Sequence, residues 1–126
     1  MKFAASDIQI SSAGGDYFQV HLSESTAEDC PYILLQNSFE FFRGPAYFEC
    51  HDPSLAGHGR VKRCELQREC LEIDLTDSAE HITVKFNESD EKIGNLAWML
   101  KIVLGGYASF VNSSGIPENP MEDPDF

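Results

Sequence analysis

Between residues 60 and 87 apolar and polar side chains alternate, and the alternation defines a face before anything else about the chain is considered. Leu71, Ile73 and Leu75, then Ile82, Val84 and Phe86, recur at every second position, with Cys64 and Leu66 in the same phase. This is the spacing of strands with one buried side. With Glu69 and Cys70 at the tip of a hairpin, Leu66 faces Ile73 and Cys64 faces Leu75. With 77–80 as the next loop, Leu75 meets Ile82, Ile73 meets Val84 and Leu71 meets Phe86. Two separate turns give the same inward side. Glu and Cys suit a tight primed turn poorly, because such turns favour Asn or Gly, so a longer loop with the same pairing is the alternative form of the first hairpin.

Upstream, alternating runs at 5–10 and 17–22 flank Gly14-Gly15-Asp16, and an acidic break then extends through Asp29. The run 31–39 is nearly continuous in its apolar part (Tyr32, Ile33, Leu34, Leu35), which predicts a central strand covered on both faces. After Ser89 the period becomes helical, with Ile93, Leu96, Ala97, Leu100, Val103 and Leu104 on one stripe. Ser89 can cap this helix, Asp90 and Glu91 suit its positive end, and Gly105-Gly106 supply the stop. A short apolar patch (Tyr107, Phe110, Val111) precedes a stretch rich in Pro, acid and small polar residues. The expectation is an α+β, mostly β fold: a twisted antiparallel sheet of about six to seven strands packed with one C-terminal helix. A single domain spans 1–111, and 112–126 form an acidic Pro-rich tail with little regular structure. There are no internal repeats.

Charge narrows the possible partners. Among 126 residues, 21 acids face 9 bases, a formal charge of −12. Such a balance opposes binding to nucleic acid or to an anionic membrane and favours a basic protein partner. The start MKFAASDIQISS lacks the apolar run of a signal peptide, and no stretch approaches the roughly 20 apolar residues of a membrane span. A cytoplasmic location is therefore expected, where Cys30, Cys50, Cys64 and Cys70 remain thiols.

The stretch YFECHDPSLAGHGRVKRCELQREC (47–70) gathers three cysteines and two histidines and invites a metal-site reading. It has neither paired CxxC knuckles nor a histidine pair at helical spacing. On the strand reading Cys50 and Cys64 point inward, His51 points outward, Cys70 sits at a turn and His58 lies in a glycine-rich loop. The five do not converge, so no metal and no cofactor are expected. No GxSxG elbow, phosphate-binding glycine loop or HExxH motif is present. Cys30 or Cys70 could pair with His21, His51, His58 or His81, but with four of each type some such pair is unavoidable and assigns nothing. No catalytic residue is expected.

Two surface features remain. The hairpin registers place Glu72 opposite Gln67 and Lys85, but Glu65 directly opposite Asp74, a like-charge pair. Either this face is simply solvated, or Glu65, Glu72 and Asp74, with nearby Glu69, form an acidic patch that a basic partner neutralises. On the helix, Trp98 and Ile102 project opposite the buried stripe. Tyr107, Phe110 or Ile116 folds over them, or they form a homodimer contact or a partner's hot spot.

The runs YILLQNSFEF (32–41), AYFECHDPSLAGHGRVKRCELQRECLEIDL (46–75) and LAWMLKIVLGG (96–106) together resemble the immunity-protein-ten family of bacterial polymorphic toxin systems. The match covers most of 31–106. Gly57 and Gly59 correspond to that family's loop glycines, Glu65 and Leu66 to its hairpin, and Gly105 and Gly106 to its helix stop. His58 stands where the family pattern has an aromatic, and the tail lies outside the match. The resemblance implies a non-catalytic domain that neutralises a cognate toxin domain, and it assigns no toxin-contact residues. The alternative is a small ligand-binding or self-assembling β domain.

Overall fold

The computed structural model describes residues 1–13, 17–38 and 44–121. The Gly14-Gly15-Asp16 turn, Phe39 and residues 122–126 of the tail lie outside the described residues. Among the described residues ten strands form two five-stranded sheets beside one α-helix, an α+β, mostly β architecture. The first sheet contains β1 (Lys2–Ala4), β7 (Val61–Leu66), β8 (Cys70–Leu75), β9 (His81–Lys85) and β10 (Ser109–Asn112), in the order β1-β9-β8-β7-β10. The second contains β2 (Asp7–Ala13), β3 (Tyr17–Ser23), β4 (Tyr32–Ser38), β5 (Tyr47–Cys50) and β6 (Gly57–His58), in chain order.

This corrects the expectation of one antiparallel sheet with fewer strands. The additional strands β1, β6 and β10 span only 3, 2 and 4 residues, too short to show a period. Two of them, β1 and β10, add in parallel to the edges of the first sheet. The chain passes between sheets without a long connection. Ala5 donates to Lys85 O while Ser6, the next residue, donates to Ser23 O in the other sheet. At a second corner Gly59, with φ +70°, donates to Ala46 O, and Arg60 O accepts from Thr76. Strands that switch sheets make such corners.

The inward face read from the alternation is correct and its register is not. Leu66 pairs with Leu71 and Cys64 with Ile73, while Ile73 pairs with Ile82 and Leu71 with Val84. Both hairpins are displaced by two residues from the expected pairing, and two is the shift that leaves every side chain on its own face. Gln67 N–H donates to Cys70 O around a tip of Arg68 and Glu69, so the turn sits one residue earlier than expected. A bulge between Val61 and Arg63 leaves Lys62 and Arg63 both exposed.

Helix α1 (Asp90–Leu104) starts and stops where its sequence directs. Ser89 Oγ accepts from Lys92 N–H at 3.2 Å, and Gly105, at φ 57°, donates to Lys101 O. The whole expected stripe is buried, together with Gly94 and Met99. The helix packs on β2, β3, β4 and β10, and its residues join both sheets in one apolar cluster. Asn37, inward on β4, donates to Val103 O (2.8 Å) and Gly44 O (3.0 Å).

Among the described residues the last strand is β10, which ends at Asn112. Residues 113–121 carry no helix or strand, yet they are docked. Ser113 donates to Leu66 O, Asn119 donates to Gly94 O, and Glu118 pairs with Lys101 at 3.2 Å. Gly94 permits this approach, since a Cβ there would sit 2.9 Å from Asn119 Cβ. No helix among the described residues is long and apolar enough to cross a membrane.

Candidate functional site

The outward face of the first sheet, the expected acidic patch, has different neighbours from those the sequence suggested. Glu65 lies opposite Glu72 rather than Asp74, and Asp74 lies between Arg63 and His81. Each carboxylate is engaged. Arg63 pairs with Glu65 at 3.0 Å, and a hydrogen bond from Ser113 together with Arg63 holds the Glu65 carboxyl below its ordinary range. Glu72 accepts from Gln67 at 3.2 Å and lies 3.4 Å from both Thr83 Oγ1 and His81 Nε2. Asp74 lies 2.6 Å from His81 Nδ1. Lys2 and Lys85 stand exposed on the same face, while Glu69 is exposed at the turn. The face is a mixed-charge lattice, not a field of one sign.

Trp98 and Ile102 are half-buried, and they share a shallow groove with Phe18, Lys101, Gly105 and Glu118. Tyr107, one of the side chains expected to cover them, is 61% exposed, whereas Phe110 and Ile116 pack against the core.

The cysteines and histidines of 47–70 disperse as their alternation implied. Cys50 and Cys64 are buried inward and His51 is exposed. Among the described residues no group of three or more His, Cys, Asp or Glu side chains is placed to hold a metal ion. Burial pushes the Cys64 thiol up to about 12 and raises those of Cys50 and Cys70, which disfavours the thiolate in all three.

A site that the sequence did not reveal lies on the outward face of the second sheet. Antiparallel pairing aligns Gln9, His21, Leu34 and Glu49 in one row across β2 to β5, and Asp7, Ser23 and Tyr32 in the next. Residues 24–31, the acidic break of the sequence, form a loop closed by Glu24 N–H to Pro31 O and by the Cys30 thiol to Ser25 O at 3.3 Å. Loop and sheet enclose an open cleft of about 500 Å³. The continuous apolarity of β4 is now explained: its outward Tyr32 and Leu34 are half-covered because they line this cleft, not because a second layer packs over them.

Glu49 organises the cleft wall. The Tyr32 hydroxyl donates to its Oε2 at 2.5 Å and the Tyr47 hydroxyl to its Oε1 at 2.9 Å. Burial and then the Glu49 bond raise the Tyr32 phenol well above its ordinary value; for Tyr47 the bond to Glu49 comes first. The Tyr32 ring stacks on His21 with centroids 5.5 Å apart and planes 26° from parallel. Gln9 donates to Asp7 at 3.0 Å and Gln36 to Gln19 at 3.2 Å.

On this surface two buried atoms, His21 Nδ1 and Ser23 Oγ, have no hydrogen-bond partner among the described residues. Ser23 is only 2% exposed. Leaving a buried polar atom unpaired costs about 1–3 kcal/mol, and folded proteins hold few such atoms. Both line the same cleft, as do the carboxylates of Asp7, Glu28 and Glu49, while no Lys or Arg side chain lines it among the described residues. Ser23 Oγ has no hydrogen-bonded base, so the pair is not arranged as nucleophile and base. The cleft thus brings together two unpartnered polar atoms, three acidic residues and an aromatic stack. Sequence reasoning passed over it because its polar residues alternate like any solvated sheet face. No family model matches the chain, and no curated protein or solved structure matches it.

Proposed function

We propose that this protein is a non-catalytic, cytoplasmic immunity protein that binds a cognate toxin domain of a bacterial polymorphic toxin system, and that the outward face of the second sheet is its binding surface. The observation that carries this reading is the acidic cleft, lined by Asp7, Glu28 and Glu49 and, among the described residues, by no Lys or Arg, with two unpartnered polar atoms, His21 Nδ1 and Ser23 Oγ, in its lining residues. A surface of that kind calls for a positively charged partner, as does the net charge of −12. The resemblance over 31–106 supplies the partner's class. Neutralisation then consists of occupying the toxin's basic surface, with no chemistry performed by this chain.

Co-expression in a sensitive host with the C-terminal domain of the protein encoded immediately upstream, as the candidate toxin, tests the proposal. Survival together with a complex that co-purifies is expected; growth arrest with no complex overturns it. A second reading, a receptor for a small cationic molecule, is favoured by the cleft's size, which falls within the range of small-molecule sites. Arrest without complex, combined with stabilisation of the purified protein by a small amine or guanidine, would select it.

A further inference from the structure

The cleft's chemistry narrows its occupant further, and only the identity of the molecule that carries the bound group rests on the immunity reading. We propose that the cleft over β2 to β5 receives an arginine side chain of the toxin partner, its guanidinium set among Asp7, Ser23, His21 and Glu49.

Charge gives the sign. Asp7, Glu28 and Glu49 line the cleft with no basic side chain among the described residues to balance them. The two phenols on Glu49 use one bond on each oxygen, and an ionised carboxylate offers about four acceptor sites, so acceptor capacity remains. The floor gives the hydrogen-bonding sense. Ser23 Oγ can accept, and so can His21 Nδ1 when the ring proton is on Nε2, and neither has a donor now. A group that only donates, in several directions, completes both. An anion that took the Ser23 proton would face three carboxylates.

Shape separates guanidinium from ammonium. Guanidinium is planar, carries five N–H donors in a fixed fork and is weakly hydrated, so it enters a partly buried site with less loss than a compact ammonium. His21 and Tyr32, whose rings stack on each other, both line the cleft, and an aromatic face there suits a planar cation. A cleft of about 500 Å³ also leaves room for the aliphatic stem and neighbouring backbone of the partner.

The test uses the full chain and a capped arginine, Nα-acetyl-arginine methylamide, titrated while amide and His21 ring resonances are followed by NMR. Capped citrulline, the neutral isostere, and capped lysine are the controls. Expected is saturable millimolar binding with shifts at His21, Ser23 and Tyr32, with citrulline at least about tenfold weaker. Asp7→Asn with Glu28→Gln weakens arginine binding by about tenfold, while Glu65→Gln with Asp74→Asn leaves it unchanged. Equal binding of citrulline, or shifts confined to the first sheet, overturns the site. Equal binding of lysine overturns the guanidinium assignment. Rescue from the toxin without arginine binding overturns this inference and leaves the immunity reading standing. Arginine binding without rescue overturns the toxin as the source and assigns the cleft to a free guanidine compound.

Discussion

The two sheets turn outward faces that look alike in sequence and differ in physics. On the first, Glu65, Glu72 and Asp74 are interleaved with Arg63, Lys2, Lys85 and His81, and every carboxylate has a partner. On the second, Asp7, Glu28 and Glu49 line a cleft that has no Lys or Arg among the described residues, and two buried polar atoms there, His21 Nδ1 and Ser23 Oγ, are unpaired. What separates them is cross-strand neighbourhood, which a register sets and a tally of acids does not. A face whose charges satisfy one another gains little from a partner; a face with unmet acceptors gains a bond for each donor it is brought.

The largest test of that contrast is charge reversal. Asp7→Lys with Glu28→Lys is expected to weaken toxin binding by about 100-fold, because both lysines enter the cleft that the partner's cation occupies. Glu65→Lys with Glu72→Lys, or Glu69→Lys at the turn, is expected to change affinity by less than about threefold, the effect of exposed charges. Calorimetric titration of the toxin domain measures both. Equal losses would break the comparison, and a loss confined to the first face would restore the acidic patch read from the sequence.

A smaller contrast concerns stability. Glu49→Ala removes the shared acceptor of two partly buried phenols and is expected to cost about 2 kcal/mol. Glu72→Ala, on a half-exposed residue whose neighbours can turn to water, should stay within about 0.5 kcal/mol. Denaturant unfolding distinguishes them, and similar losses would show that Glu72 is tied into its lattice as firmly as Glu49 into its clamp.

Ser23→Ala reverses the usual direction. Deleting a buried hydroxyl that has no partner removes an unpaid desolvation cost, so the variant should be unchanged or up to about 1 kcal/mol more stable, with weaker partner binding. Asn37→Ala is the contrast on the neighbouring strand. Its amide holds Val103 O and Gly44 O, and losing both bonds should cost about 1–3 kcal/mol. A destabilised Ser23→Ala protein would mean that its hydroxyl already has a partner in solution, which would weaken the case for the cleft.

How far the sequence spoke for the fold and the site follows from which physical signal each feature carries. Alternation from Cys64 to Phe86 encodes which side is buried, and that side is as expected. Register is decided by turn geometry, and Arg68 and Glu69 at the hairpin tip carry no Gly or Asn to mark the spot. The displacement by two residues put Glu72 in place of Asp74 opposite Glu65, so a like-charge pair remains there while Asp74 gains Arg63 and His81 as its neighbours. The helix was legible to its caps because Ser89 and Gly105 act locally. The cleft was illegible because Asp7, the pair His21 and Ser23, and Glu49 come from three different strands, β2, β3 and β5, and only strand pairing brings them into adjacent rows. One trace was present: Tyr32 and Leu34, too apolar for a solvated face, mark where the loop 24–31 half-covers the sheet.

The smallest expected effect tests whether the first face really balances itself. Asp74, and then Glu72, raise His81 above the ordinary 6.5, while the His81 bond lowers the Asp74 carboxyl. A raised histidine contributes stability that is fully present below its unfolded value and lost as pH rises through its folded one. A lowered carboxyl contributes stability present above its unfolded value and lost as pH falls through its folded one. The window in which both contribute therefore lies between the ordinary aspartate and histidine values, where ring and carboxylate are both charged. NMR titration should place His81 above 6.5 in the native protein and lower it in Asp74→Asn. The stability difference between native and His81→Asn proteins should be largest in that window and fade at alkaline pH. A histidine titrating at its ordinary value in both proteins would strip the first face of a compensating charge near neutral pH. Glu72 and Asp74 would then stand closer to the acidic patch that the sequence suggested, and the two faces would differ less than their geometry implies.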